Sequence, residues 1–274
     1  MKFETSFLPG IPRLAYNCGG EGPPVVFVHG IGGNKSNWRR QMAALADRFS
    51  VYAWDARGYH ESDDYDGPLA FEDFSHDLNR LLDHLGVEKA HLLGLSMGAR
   101  VLMDFHHFYP KRIATLILCD CFSSFGKTLT AEERAGFLRL RQEPLLAGKS
   151  FEDLAPDLVD SLLGPNATPA VRHELMSSIH LLHKESYLKT LEATQLFDRT
   201  AELEKMSMPV LLIYGAEDRL TPPEFGKEMV RDLPDARMEV IDGAGHLSNL
   251  EEPDKFNALI DIFFTTNAML ASFK

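Results

Sequence analysis

Long apolar runs are missing from this 274-residue chain: nothing in it approaches eighteen consecutive apolar residues. Its first twenty residues, MKFETSFLPGIPRLAYNCGG, also lack the continuous apolar stretch of a signal peptide. Both absences argue against a membrane-spanning or exported protein. A soluble cytoplasmic protein without membrane partners is therefore expected.

Basic residues and cysteines are also few. The chain has 28 Lys and Arg against 40 Asp and Glu, a net charge of −12, which disfavours nucleic acid and anionic membranes as partners. Its three cysteines, Cys18, Cys119 and Cys121, are an odd number, and the last two are too close in sequence to pair easily. This usage indicates a reduced, intracellular setting.

Short apolar runs alternate with stretches of helical spacing. The runs that indicate strands buried on both faces are Val25–His29, Val51–Trp54, Ala90–Leu95, Ile113–Leu118 and Val210–Tyr214. The helical stretches between them include Trp38–Ala46, Phe71–Leu85 and Met97–Tyr109. The order predicts an α/β fold with a mostly parallel, doubly wound sheet.

The alternation stops after Cys121. From about Leu129 to Met206 the chain shows helical periodicity and turn signals, and sheet signals resume only with MPVLLIYG and ARMEVIDG. The sequence therefore predicts an α-helical cap inserted before the last two strands. The expected division is a core of residues 1–124 and 207–274 with a cap of residues 125–206.

One serine, Ser96, stands between two glycines in GLSMG, residues 94–98. A serine hydroxyl is a weak nucleophile, so it needs exposure at a tight turn, a nearby base and donors aimed at the developing oxyanion. The G-x-S-x-G pattern supplies the turn, although chance alone produces it in roughly one of ten chains of this length. Here it follows a predicted strand and opens a predicted helix, which is the context the pattern requires.

The base is predicted to be His246, one of eleven histidines. It ends VIDGAGH, where a strand runs into a glycine-rich turn near the C-terminus, and the serine–acid–histidine chain order places the base there. The other histidines fit surface, core or loop-shaping roles better; they include His29, His106, His107, His180 and His183.

The acid that orients this histidine should follow a strand between Ser96 and His246. Asp218 in LLIYGAEDRLTPP fits, whereas the adjacent Glu217 would point elsewhere on an extended loop. Asp120 is a rival, because it follows the strand IATLILC and would lie close to Ser96 at the same sheet edge.

The loop FVHGIGGNKSNW follows an early strand and contains three glycines. Its backbone can lie close to a substrate, and the Ile31 N–H can pair with the Met97 N–H to form an oxyanion hole. Candidate substrate-binding residues are Gly30, Trp38 and Phe122.

The ordered segments HGIGG, WDARGYHES, GLSMGA, YGAED and GAGH resemble the α/β-hydrolase superfamily over nearly the whole chain. Within it, YAWDARGYHES and the segment around GLSMGARVL most resemble carboxylesterases and 3-oxoadipate enol-lactonases. The resemblance implies Ser96 as nucleophile, His246 as base, Asp218 as acid and a helical cap over the pocket. Two departures occur, since relatives often have glycine where this chain has His60 and Ala99.

These features predict a serine hydrolase of small carboxylic esters or lactones that works through an acyl-enzyme, without metal or organic cofactor. Three alternatives remain: a C–C bond hydrolase of ring-fission products, a cofactor-free perhydrolase or haloperoxidase, and a hydrolase-like ligand receptor. A serine nucleophile argues against dehalogenases and epoxide hydrolases of this fold, which use aspartate. A homo-oligomer is among the assemblies that the sequence allows.

The remaining charged features fit structural roles better. Arg57 is expected to fix a loop by pairing with carboxylates or carbonyls, and the acidic segment 61–67 lacks the ligand alternation of a calcium loop. A substrate with a free carboxylate would require a cation near the pocket. Arg139, Arg141 and Lys184 are the candidates for it.

Overall fold

The computed structural model describes residues 3–273 of the chain. In that range nine strands build one sheet: β1 (Glu4–Leu8), β2 (Leu14–Gly19), β3 (Pro24–Val28), β4 (Ser50–Trp54), β5 (Val87–Leu95), β6 (Ile113–Cys119), β7 (Val210–Gly215), β8 (Ala236–Ile241) and β9 (Ser272–Phe273). Their order across the sheet is β1-β2-β4-β3-β5-β6-β7-β8, and the short β9 pairs with the start of β5.

The sheet is parallel from β4 to β8, and only β1, β2 and β9 run antiparallel to their neighbours. Every residue of β3, β6 and β7 is buried, as expected of central strands covered on both faces. β8 is partly exposed, because it lies at the edge of the sheet. The predicted fold class, a mostly parallel α/β sheet, is confirmed.

Twelve α-helices lie within residues 3–273. They are α1 (Arg39–Leu45), α2 (Glu72–His84), α3 (Met97–Phe108), α4 (Phe125–Thr128), α5 (Ala131–Arg141), α6 (Glu143–Leu146), α7 (Phe151–Leu162), α8 (Pro169–His180), α9 (Lys184–Gln195), α10 (Pro223–Asp232), α11 (Ser248–Glu251) and α12 (Pro253–Asn267). Short 3-10 helices occupy Lys35–Trp38, Pro110–Arg112, Thr200–Lys205 and Ala268–Leu270. Of the helices in residues 3–273, none is long and apolar enough to cross a membrane.

Helices α4 to α9 fill the stretch between β6 and β7, so this part of the chain is helical as its periodicity predicts. Two of these helices, α5 and α7, begin with a capping box. In it a serine or threonine side chain and an acidic side chain three residues later accept hydrogen bonds from the free backbone N–H groups. The pairs are Thr130 with Glu133 and Ser150 with Asp153. The domain boundaries given above stay predictions.

Candidate active site

The candidate residues lie on loops at one edge of the sheet. Ser96 directly follows β5, Ile31 follows β3, Asp218 follows β7 and His246 follows β8. These four strands are parallel members of the same sheet, so their carboxyl ends lie together. Open α/β sheets hold their ligands at this edge.

Ser96 occupies a strained turn between β5 and α3. Its φ is +55° and its ψ −114°, in a region that L-residues rarely adopt and that costs about 1–3 kcal/mol. The Ser96 N–H donates to the Cys119 carbonyl at 2.8 Å, which ties the turn to the end of β6. This turn places the hydroxyl beyond the strand end, in the cleft described below.

The two glycines beside Ser96 are required by close backbone packing. A Cβ on Gly94 would lie 2.5 Å from the carbonyl carbon and oxygen of Gly98, and a Cβ on Gly98 would lie 2.1 Å from the Val28 carbonyl oxygen. At these distances something would have to move, and backbone atoms cannot move aside as easily as the end of a flexible side chain can. The glycines therefore let α3 start directly against β3 and β5.

We expect Gly98→Ala to lower both stability and activity. The added methyl group would push α3 away from β3 and its following loop, and such overpacking costs about 1–3 kcal/mol. Gly136→Ala is the matched control: in helix α5 the new Cβ would meet nothing nearer than 3.7 Å, and the change should stabilise by up to about 1 kcal/mol. Urea denaturation measures both free energies of unfolding, and a Gly98→Ala protein as stable as wild type would contradict the packing argument.

His246 and Asp218 form a buried hydrogen-bonded pair. The His246 Nδ1 lies 2.8 Å from Asp218 Oδ2, and the two residues are 3% and 4% exposed. Asp218 also accepts hydrogen bonds from the backbone N–H groups of Leu220, at 2.8 Å, and Thr221, at 3.0 Å. An aspartate held in this way fixes the ring with Nδ1 as donor and leaves Nε2 free to accept a proton.

The charge on Asp218 is favoured by its partners. Burial by itself would raise the pKa of this carboxyl, but the charge of His246 and hydrogen bonds from His246 and Thr221 outweigh burial and lower the pKa below its ordinary value. Asp218 is therefore ionised at neutral pH. It can stabilise a positive charge on the imidazole when the ring takes up a proton.

Asp120 lies in the same region but makes different contacts. Its carboxylate accepts from the Gly215 N–H and from the Ser248 hydroxyl, each at 2.8 Å, and makes no hydrogen bond to His246. Burial, together with the charge of Asp218, raises the pKa of Asp120 well above its ordinary value. Of the two candidate acids, it is Asp218 that contacts the histidine.

Ser96 and His246 both line two adjoining clefts under helices α7 and α8; the larger has about 630 Å³ of space free of protein atoms and the smaller about 390 Å³, and both are partly open to solvent. Among residues 3–273 no group hydrogen-bonds the Ser96 hydroxyl, so the predicted nucleophile and the predicted base both line the cleft without a direct hydrogen bond between them. Such pairs are often loose before substrate binds.

The predicted oxyanion donors flank the serine. Met97 is the first residue of α3, where the N–H has no intrahelical acceptor, and the Ile31 N–H also has no acceptor within residues 3–273. The loop of Ile31 lies close to the serine, since a Cβ on Gly30 would be 3.1 Å from Ser96 Cβ. Both N–H groups are thus available near the hydroxyl.

His29 shapes this loop, as predicted. Its Nε2 accepts from the Ala56 N–H at 3.0 Å, so Nδ1 carries the proton and donates to the Gly30 carbonyl at 2.9 Å. Burial lowers the pKa of His29 and keeps the ring neutral. With both ring nitrogens occupied, His29 is not available as a base.

The predicted substrate-binding residues divide between the two clefts. Phe122 lines the larger cleft, whereas Gly30 and Trp38 line the smaller one. Trp38 is almost fully buried and stacks on Phe27 with ring centroids 5.2 Å apart. It therefore contributes to the core as well as to the cleft wall.

Of the three predicted cations, only Arg141 lines a cleft, while Arg139 and Lys184 are exposed. A second arginine, Arg100, lies in the wall of the larger cleft and was not singled out from the sequence. The available signal was its position four residues after Ser96, because residues i and i+4 lie on the same face of a helix.

The other charged features are structural. Arg57 forms a two-pronged ion pair with Asp77, at 2.7 and 3.0 Å, as predicted. Asp55, His60 and Glu61 lie close enough to hold a cation, but the Lys35 ammonium group contacts all three. The lysine supplies the positive charge of this cluster.

The chain is similar to known proteins over almost its whole length. A profile of the alpha/beta hydrolase fold family matches residues 23–253. 3-Oxoadipate enol-lactonase 2 of Acinetobacter baylyi is 27% identical, over 87% of this chain and 87% of that protein. 2-Hydroxy-6-oxononadienedioate/2-hydroxy-6-oxononatrienedioate hydrolase 2 of Pseudomonas putida is 29% identical, over 90% of each. A thermophilic esterase from Thermogutta terrifontis, solved with malate bound, is 29% identical with a TM-score of 0.86, covering 98% of this chain and 100% of that one.

Proposed function

The chain belongs to the alpha/beta hydrolase fold family, and from this premise we propose that it is a serine hydrolase that cleaves carboxylic esters or lactones. One observation carries the proposal: the buried Asp218–His246 hydrogen bond ends at a cleft that Ser96 also lines. The similarity to a lactonase and to an esterase supports an ester or lactone as the bond that is broken.

In the first half of the reaction, Ser96 Oγ attacks the substrate carbonyl carbon while His246 Nε2 takes the hydroxyl proton. Asp218 holds the imidazole in the required tautomer and stabilises the imidazolium. The Ile31 and Met97 N–H groups bind the negative oxygen of the tetrahedral intermediate. His246 then donates its proton to the leaving alkoxide, which departs as the alcohol and leaves an acyl ester on Ser96.

In the second half, water attacks the acyl carbonyl while His246 removes one of its protons. Collapse of the second intermediate returns that proton to Ser96 Oγ and releases the acid. A lactone follows the same path, with the alcohol and the acid remaining in one molecule. The side chains and backbone donors complete the chemistry without a metal or organic cofactor.

A substrate panel tests this function. Purified protein should hydrolyse at least one ester or lactone with rapid multiple turnover when it is offered p-nitrophenyl esters of rising acyl length, simple lactones and 3-oxoadipate enol-lactone. The rate should be unchanged by EDTA. A vinylogous diketone and acetate with peroxide, assayed in parallel, report C–C hydrolysis and peracid formation.

The panel also separates the alternatives. C–C hydrolysis has a specific argument in its favour, the similarity to the Pseudomonas putida hydrolase, and faster turnover of the diketone than of every ester would replace the proposal with it. Binding of a ligand with negligible turnover of all substrates would indicate a receptor and would contradict the proposal.

The biological setting belongs to the same proposal. We expect a small-molecule substrate, no nucleic-acid or membrane partner and a cytoplasmic location, on the grounds of charge and composition given above.

A further inference from the structure

Two buried arginines interrupt the mainly apolar wall of the larger cleft. Arg100 lies on α3, one turn beyond Ser96, and Arg141 is the last residue of helix α5. They are only 4% and 5% exposed. Buried guanidinium groups normally pair with a carboxylate, because an unpaired charge is expensive to remove from water.

Neither arginine has such a partner within residues 3–273. The Arg100 side chain makes no hydrogen bond and its Nη1 is fully buried, while the Arg141 side chain makes one long bond, from Nη1 to the Phe137 carbonyl at 3.4 Å. Other partly buried arginines of the chain do pair: Arg57 with Asp77, and Arg199 with Asp104 at 2.6 Å.

Aromatic rings give the two cations partial compensation. The Arg100 guanidinium carbon lies 5.2 Å from the Phe122 ring centroid and 5.7 Å from that of Phe125, and the Arg141 guanidinium carbon lies 4.1 Å from that of Phe137. Contacts to a ring face stabilise the charge but leave the N–H donors without acceptors. Burial lowers the pKa of Arg100 to about 10, so it is still charged at neutral pH.

An acidic residue in the wall of the same cleft does not neutralise the two arginines. Asp120 also lines the larger cleft, but within residues 3–273 the hydrogen-bond partners of its carboxyl group are the Gly215 N–H and the Ser248 hydroxyl, and neither arginine is among them. Burial raises its pKa and favours the uncharged form. The cleft therefore presents two positive charges and unused donors next to the candidate catalytic residues.

We propose that Arg100 and Arg141 bind a carboxylate carried by the substrate, so that acid-bearing esters or lactones are preferred over neutral ones. A guanidinium fork matches the two oxygens of a carboxylate, and the bound anion replaces the missing protein partner. Because Arg100 is one helical turn, about 6 Å along the axis, from Ser96, the acid group lies a short chain away from the reacting carbonyl. The substrate preference rests on the proposed function; the carboxylate site does not.

A matched ester pair tests the preference. p-Nitrophenyl hemiglutarate and p-nitrophenyl valerate have acyl chains of the same length that end in a carboxylate and a methyl group. Wild type should have the higher kcat/KM for the hemiglutarate. Arg100→Met and Arg141→Met should each lower the ratio of the two kcat/KM values roughly 30-fold or more, as expected when one partner of a buried charge pair is removed.

Arg139→Met is the matched control, since Arg139 lies on the same helix as Arg141 but is exposed, and it should leave the ratio unchanged. Arg100→Lys keeps the charge without the fork and should give an intermediate ratio, which keeps the proposal testable should the methionine variant fold poorly. A wild-type preference for the valerate, or a ratio unaffected by all three cleft variants, would overturn the proposal.

Binding of glutarate to Ser96→Ala, measured by calorimetry, distinguishes this inference from the proposed function. We expect binding to Ser96→Ala and none to Ser96→Ala/Arg100→Met. If wild type hydrolyses no ester but Ser96→Ala binds glutarate through Arg100, the carboxylate site stands and the hydrolase function fails. If neutral esters are hydrolysed but glutarate does not bind, the carboxylate site is wrong and the hydrolase function stands.

Discussion

Ser96→Ala is expected to lose about 10⁶-fold in kcat on the best ester of the panel, the loss typical of removing the nucleophile of such a triad. Ser96 is the hydroxyl at the strained β5–α3 turn. Two other hydroxyl-bearing residues line the larger cleft within residues 3–273: Thr221 donates its hydroxyl to Asp218, and burial raises the pKa of the Tyr187 hydroxyl to about 12. Thermal melting should show that the variant is folded. It should be at least as stable as wild type, because the alanine leaves the packing of the turn unchanged.

Ser161→Ala is a suitable control. That hydroxyl donates to the Leu158 carbonyl on α7 and does not line either cleft, so its loss should leave kcat close to that of wild type. Retention of more than a few per cent of activity by Ser96→Ala would mean that another group is the nucleophile.

Asp218→Asn is expected to lower kcat about 10⁴-fold. The carboxylate accepts a hydrogen bond from the Nδ1–H of His246, with Nδ1 and Oδ2 2.8 Å apart. An amide in its place can hold the ring in the wrong tautomer. The same variant removes the negative charge that stabilises the imidazolium, so KM should change much less than kcat.

Asp120→Asn is the informative comparison, because both carboxylates are buried at the same sheet edge and both follow buried strands. Asp120 accepts from Gly215 and Ser248, so its substitution should affect stability more than chemistry. Steady-state kinetics of the two variants side by side would decide between the acids. A larger loss of kcat in Asp120→Asn than in Asp218→Asn would reverse the assignment.

Much of the architecture can be predicted from sequence because central parallel strands are continuous apolar runs. All five predicted runs are strands, and ARMEVIDG contains β8. The antiparallel β1 and β2 have no such signal: β1 is a five-residue edge strand with mostly exposed side chains. β1 is a strand because it pairs with β2, and its own residues show no apolar run that would predict a strand.

The candidate site is only partly predictable, because some of its features have local sequence signals and others depend on contacts between distant parts of the chain. The sequence predicts Ser96, Asp218 and His246 as candidates, because each follows a recognisable strand in the order serine, acid, histidine. Whether Asp218 or Asp120 contacts the histidine depends on loop geometry after the strands, which residue types do not reveal. The sequence shows that Arg100 lies one helical turn after Ser96, but whether this position lines a cleft depends on how the helices between β6 and β7 cover α3, which is a long-range contact.

The most direct test of the central claim, that His246 activates Ser96 as a nucleophile, is covalent labelling. Wild type should react stoichiometrically with a fluorophosphonate, lose activity in step with labelling and carry the modification on the peptide that contains Ser96, as mapped by tandem mass spectrometry. Ser96→Ala should remain unlabelled. Labelling of a different residue, or full esterase activity in protein whose Ser96 is completely modified, would contradict the account.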